Sequence, residues 1–216
     1  EKLSVIYNGV DTDLFKGSPS VRAAQNELNL LAIGRVGPEK NPLNLIKALH
    51  LFHCKWGWVP SLTWVGREDQ TREGRKYGKK VEQLLDSMPE IKDKVLFPGE
   101  NQAIHTLLAQ HDALIHPSFY EGMPNVICEA LCSSRPVLAS DVSDNGRLVA
   151  EGERGFLFNP HEPETIVSAM KRLTDLSPEK WERVSANCRR YAEENLSVDK
   201  LVSQYESLFQ KLCENG

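Results

Sequence analysis

The sequence predicts an α/β domain on a doubly wound, parallel, Rossmann-like sheet of about six strands, with helices on both faces and a helical C-terminal tail. Three observations carry this. Short apolar runs rich in Leu, Ile, Val and Ala recur along the chain, and several end in glycine. Runs that lack polar alternation are what strands buried on both faces look like. Longer stretches with apolar residues at helical spacing separate them, and past Pro163 only helical patterns remain.

The elements follow in order. Residues 30–34, 62–66, 95–99, 113–116, 136–140 and 155–158 read as strands. Between them, 41–54 places Leu45, Ile46, Leu49 and Phe52 on one helical face. Residues 72–88 form a charged amphipathic helix, and 102–110 and 125–133 are shorter helices. The tail reads as helices over 164–175, 178–194 and 198–212, the second opened by Ser177 as cap and Pro178 in the first turn. There is no internal repeat. One domain over 1–216 is expected, with a linker-like start at 1–15 and a C-terminal helix within 198–216.

Composition narrows the function. A net charge of −4 with 26% charged residues excludes the basic excess of a nucleic-acid binder. The five cysteines (Cys54, Cys128, Cys132, Cys188, Cys213) lack framework or zinc-ligand spacing and read as reduced thiols. No apolar run reaches the length of a membrane span, and no signal peptide is expected. The acidic balance suits a cytoplasmic protein, with peripheral contact at the inner face of a membrane left open.

Two segments carry candidate chemistry. Glu121-Gly-Met-Pro-Asn-Val-Ile-Cys-Glu129 follows the strand ending at His116-Pro117-Ser118 and sets one carboxylate in a loop and a second on a helix. Open α/β sheets bind ligands in the crevice beyond the carboxyl ends of their strands, where helix N–H groups attract anions. Pro124 has no N–H, so the donors there are Gly122, Met123, Asn125 and Val126. Glu129 can accept two hydrogen bonds from ribose hydroxyls. The other segment is Gly34-Arg35-Val36-Gly37-Pro38-Glu39-Lys40, in which a strand-ending glycine is followed by two cations. Glycine permits close backbone approach to a diphosphate, and Arg35 and Lys40 supply charge.

The combination of Asn8-Gly9-Val10-Asp11, Arg35 with Lys40, Glu121 with Glu129, and Pro136-Val137 resembles the retaining glycosyltransferases of the GT-B fold, group 1 (family 4). The resemblance implies one half of a GT-B fold, with the N-terminal acceptor domain absent. It implies a nucleoside diphosphate sugar as donor substrate, no further cofactor and no metal. The transferred hexose would go, with retention, to a glycan or lipid-linked acceptor in polysaccharide or glycoconjugate synthesis. Arg35 and Lys40 would clamp the diphosphate and stabilise the leaving nucleotide, and Glu121 would face the transferred sugar. Gly34, Phe97, Gly99, Gly122, Met123, Asn125, Val126 and Glu129 would bind the donor, Phe97 and Gly99 at the nucleobase. The fragment alone is expected to bind nucleotide without transferring sugar. Two other readings stay open: another GT-B enzyme such as a nucleotide-sugar epimerase, and a non-catalytic nucleotide-binding module.

The sequence departs from the family pattern at Pro124, often glycine, and at Ser133-Ser134-Arg135, where glycine usually ends the helix. A serine in a left-handed helix end costs about 1 kcal/mol. In Asp141-Val-Ser-Asp-Asn-Gly-Arg147, Arg147 stands where a carboxylate is common, and Asp144 and Asn145 are candidate helix caps. His116 takes the place of an apolar residue and reads as a strand-end histidine packed near the site. Asp11-Thr12-Asp13 follows a turn signal, so it is not read as a metal motif. Trp56, Trp58 and Trp64 read as packing residues, and Gly66 as a strand end lining the cleft.

Overall fold

A computed structural model describes residues 5–17 and 26–214; residues 1–4 of the expected linker-like start and 215–216 of the expected C-terminal helix segment lie outside them. Six parallel strands form one sheet: β1 (Asn29–Ile33), β2 (Ser61–Val65), β3 (Val95–Gly99), β4 (Ala113–His116), β5 (Val137–Ser140) and β6 (Gly155–Phe158). Their order is β3-β2-β1-β4-β5-β6. The chain starts in the middle, runs outward to β3, returns to β4 beside β1 and runs outward to β6. The connections reverse direction between β1 and β4, where Leu30 pairs with Ala113 and Leu31 with Leu114. A crevice opens at such a reversal.

The described helices are α1 (Pro42–Trp56), α2 (Arg72–Asp86), α3 (Pro89–Lys92), α4 (Ile104–Gln110), α5 (Asn125–Cys132), α6 (Asn145–Val149), α7 (Pro163–Thr174), α8 (Pro178–Asn195) and α9 (Val198–Glu214). All six expected strands are present within a residue or two. The short helix α3 was not expected, since four residues hold too little pattern to read.

The strands alternate faces despite being apolar throughout. Leu30 and Ala32 join Leu45, Leu49, Phe52 and Trp64 in one core, beneath α1, α2 and α7. Leu31 joins Leu114, Ile127, Leu131 and Cys188 in the other, beneath α5 and α8. Trp64 is fully buried, so the packing role expected for it holds. All five cysteines are free, and burial raises the thiols of Cys128 and Cys132 to about 12.

Three arginines finish helices that lack glycine caps. Arg135 donates to the carbonyls of Leu108 and Ala109 at the end of α4. Arg154 does the same for Arg147 and Leu148 of α6. Arg189 donates to Cys132 of α5 and to Thr12 and Phe15, so it also fastens the entering segment. Cations belong at helix C-termini, where unpaired carbonyls carry partial negative charge. At the end of α5, Ser134 takes φ 58°. Its N–H bonds Leu131 O and that of Arg135 bonds Ala130 O, the paired pattern that glycine usually serves.

The caps expected at α6 need correction. Asp144 occupies the N-cap position without a side-chain cap bond. Its carboxylate instead accepts from the guanidinium of Arg147, with Nη2 2.8 Å from Oδ2. Asn145 donates to Ser140 O at 3.0 Å. Arg147 also donates to Tyr191 OH at 2.7 Å and lies 3.8 Å over the ring of Tyr7. Asp11 accepts from the N–H groups of Asp13 and Leu14, so it closes a turn.

Two glycine strand ends touch across the sheet. Gly66 has φ +156°, and a Cβ there would lie 2.1 Å from Gly34 O. Gly66→Ala is therefore expected to destabilise by at least about 3 kcal/mol, combining backbone strain with a collision against main chain. Chemical denaturation checks this; Gly57→Ala, at φ +73° but in open space, should lose only about 1 kcal/mol.

Candidate active site at the strand reversal

The loop after β1 and the loop after β4 meet at the reversal. Phe119 N–H donates to Glu39 O at 2.9 Å. Buried Asn41 joins three segments: it caps α1 in a left-handed conformation (φ 59°) and donates from Nδ2 to Pro117 O at 3.1 Å and Pro160 O at 2.8 Å. Trp64 Nε1–H supports the first loop by donating to Gly34 O at 2.9 Å. Neither Asn41 nor Trp64 was expected near the site.

Gly34 lets a side chain lie on its backbone. A Cβ there would meet the methylenes of Lys40 at 3.4 Å. Draped this way, Lys40 brings Nζ onto Glu121 Oε1. His116, 2% exposed at the end of β4, reaches the same oxygen with Nε2 at 2.9 Å. Ser118 Oγ lies 3.3 Å from that nitrogen. Burial raises the carboxyl of Glu121, but hydrogen bonds from His116, Lys40 and Ser118 outweigh it and bring the group to about 2. Burial lowers the imidazole of His116 despite its carboxylate partner. At neutral pH the pair is thus a carboxylate and a neutral imidazole.

Glu121 titrates below its ordinary value of 4.5, so its stabilisation is complete above that pH and is lost as pH falls towards about 2. The amount is on the order of 3 kcal/mol. Acid-titrated denaturation of wild type and Glu121→Gln should show the variant losing less stability between pH 5 and pH 2, a range set by that shift.

Arg35 turns the other way. It bonds Glu39 Oε1 through Nε at 3.0 Å and lies 3.8 Å from Asp69. Both cations expected to meet a diphosphate therefore face carboxylates here. Glu129 differs. It is half-buried on α5, and burial alone raises its carboxyl. Asn125 and Val126 form the first turn of α5, whose N–H groups precede any helical partner. Asn125 also accepts from Asn8 Nδ2 at 2.9 Å. Gly122 is exposed and Met123 half-buried beside them.

The expected nucleobase edge is mixed. Phe97 stacks near Trp64, with centroids 6.1 Å apart, and packs on the α1–α2 core. Gly99, at φ +88°, ends β3 and accepts from Gly66 N–H at 2.9 Å. On the far side, a cleft of about 730 Å³ continues past β5 and β6, lined by Asp141, Phe158, Asn159 and His161 among others. His161 stacks on Phe119, with centroids 4.8 Å apart. Among the described residues no helix is long and apolar enough to cross a membrane.

Residues 27–175 match the family model described as "Glycosyl transferases group 1". A UDP-Gal:alpha-D-GlcNAc-diphosphoundecaprenol alpha-1,3-galactosyltransferase of Escherichia coli is 27% identical over 225 residues, covering 99% of this chain and 55% of the relative. The O-antigen chain mannosyltransferase RfbU of Salmonella typhimurium is 29% identical over 201 residues, covering 91% and 51%. The chain thus spans about half the length of these curated relatives. Among solved structures, Anabaena Alr3699/HepE in complex with UDP superposes with a TM-score of 0.83 at 26% identity, over 96% of this chain and 57% of that one. With the family model matched over residues 27–175 and the superposition covering 96% of the chain, the chain belongs to the group 1 glycosyltransferases and has the fold of the C-terminal-like domain of a GT-B enzyme.

Proposed function

We propose that this chain is the donor-binding half of a retaining, metal-independent hexosyltransferase that uses a nucleoside diphosphate sugar. The observation that carries this is the meeting of Lys40 and Glu121 at the strand reversal, with Glu129 half-buried on the adjoining helix α5. A diphosphate placed against the first turn of α5 would draw Arg35 and Lys40 from their carboxylate partners. Those cations and helix N–H groups would offset charge on the leaving nucleotide, the work a metal does elsewhere. Ribose hydroxyls donating to Glu129 would supply the hydrogen bonds that its burial calls for. Glu121 would accept from hydroxyls of the transferred hexose. The relatives' names support a nucleotide-sugar donor and a glycan or lipid-linked acceptor, in polysaccharide or glycoconjugate synthesis. Retention rests on the family resemblance.

The acceptor domain would lie against α9. Val198, Val202, Tyr205, Phe209 and Leu212 are exposed at alternating spacings of four and three, a continuous stripe on one face. The entering segment runs beside its start, where Val10 pairs with Ser197. Phe209→Ser with Leu212→Ser should therefore leave this chain's stability within about 0.5 kcal/mol. In the joined two-domain protein the same change should loosen domain association. A large stability loss in this chain alone would contradict that.

The test of the donor reading is a thermal-shift panel of UDP, GDP, ADP and their hexoses, with and without magnesium. A ligand bound only to the folded state stabilises it by about 2.7 kcal/mol at a hundredfold excess over Kd. A selective, magnesium-independent shift is expected, without sugar transfer by this chain alone. Absence of any shift, or turnover by this chain, would contradict the reading.

A further inference from the structure

We propose that His116 is a positioning residue for Glu121: with Lys40 it holds one carboxylate oxygen, so that the other is presented to the transferred sugar. The inference rests on the donor-site reading above and adds a residue to it. Three features of the geometry carry it. The contacts of Lys40 Nζ and His116 Nε2 both end on Oε1, the latter at 2.9 Å. His116 is 2% exposed at the last position of β4, so its ring is fixed by the sheet and cannot swing away as a surface side chain would. An ionised carboxylate only accepts, so the imidazole proton facing it is on Nε2.

Lys40 alone would not fix the carboxylate. Its ammonium sits on a flexible stem and is also the group that a diphosphate would attract. When the donor arrives and draws Lys40 away, His116 keeps the Oε1 contact. The imidazole is thus the partner that does not change hands. Oε2 is the oxygen taken by neither group, and its direction is set once Oε1 is held. Losing His116 should affect recognition of the sugar and leave recognition of the nucleotide alone.

The experiment is calorimetric titration of UDP, UDP-glucose and UDP-galactose into wild type, His116→Leu and His116→Gln. Leucine keeps apolar bulk without a donor; glutamine keeps an N–H. The expected result is a rise of about tenfold in the ratio of Kd for the sugar nucleotide to Kd for UDP in His116→Leu. UDP affinity should stay within about twofold, and glutamine should restore most of the ratio. Because His116→Leu places an apolar group against a buried carboxylate and could fail to fold, imidazole nitrogen NMR of wild type supplies a second readout. It should show a neutral ring protonated at Nε2, whose signal moves with the sugar nucleotide more than with UDP. An unchanged ratio in His116→Leu, equal loss for nucleotide and sugar nucleotide, or a proton on Nδ1 would overturn the inference while leaving the donor site standing. Should the thermal-shift panel select GDP or ADP, that nucleotide and its hexoses replace the uridine probes; wild type binding none of the panel would overturn both.

Discussion

Asn41→Ala is expected to lower stability by about 3 kcal/mol and to abolish nucleotide binding. The residue is 2% exposed, and its side chain closes a gap between three segments that are remote in sequence. Truncation strands Pro117 O in a dry environment, which costs about 1–3 kcal/mol. Alanine also tolerates φ 59° less well than asparagine, by about 1 kcal/mol. Pro160 O keeps a second donor, Asn44 Nδ2 at 3.0 Å, so its loss is cushioned. Binding suffers because Pro117 is the residue after β4, and its loop carries Ser118 and Glu121. Asn41→Gly isolates the two effects: it should recover the backbone strain but not the hydrogen bonds. Asn44→Ala should lose under about 1 kcal/mol. A drop below about 1 kcal/mol for Asn41→Ala would show that the loops hold together without it.

Glu129→Gln should move stability and binding in opposite directions. Burial raises the Glu129 carboxyl, so the ionised form is disfavoured in the free protein. A folded-state value above the unfolded one means that the charged group opposes folding at neutral pH and opposes it less as pH falls. Glutamine removes that opposition, so the free variant should be more stable than wild type at pH 7. Glutamine also loses the charge to which ribose hydroxyls would donate. Hydrogen bonds to charged groups contribute about 1.5–3 kcal/mol, so nucleotide affinity should fall by about tenfold or more. Denaturant melts and calorimetry on the same samples check both halves. If stability and affinity fell together, Glu129 would be a structural residue and not a ligand for ribose.

The two predictions differ in how far the sequence announces them. Glu129 stands in an apolar helix segment eight residues after Glu121, and a carboxylate there is legible as a misplaced charge. Asn41 is not legible. Its partners lie 76 and 119 residues away, and one asparagine beside a proline looks like any loop residue. The strands were readable because burial on both faces leaves continuous apolar runs. Their order was not, since runs buried in a sheet carry no mark of their neighbours. Lys40 and Glu121 were legible as charges but not as partners. His116 was noticed only as a histidine at a strand end, because its role exists only once β4 sets it against a carboxylate five residues on. Asp144 was read as a side-chain cap for the same reason: its carboxylate takes a guanidinium three residues away, and Tyr7 and Tyr191 complete that site from distant parts of the chain.

On the donor reading, the strand reversal holds a nucleoside diphosphate between Arg35, Lys40 and the first turn of α5. The most direct measurement is a crystal structure of this chain grown with the nucleotide that the thermal-shift panel selects. The expected result is diphosphate density in contact with Lys40 and the N–H groups of Asn125 and Val126, the ribose within hydrogen-bond reach of Glu129, and Arg35 released from Glu39. Nucleotide density at another surface, with Lys40 still on Glu121 and Glu129 untouched, would contradict it.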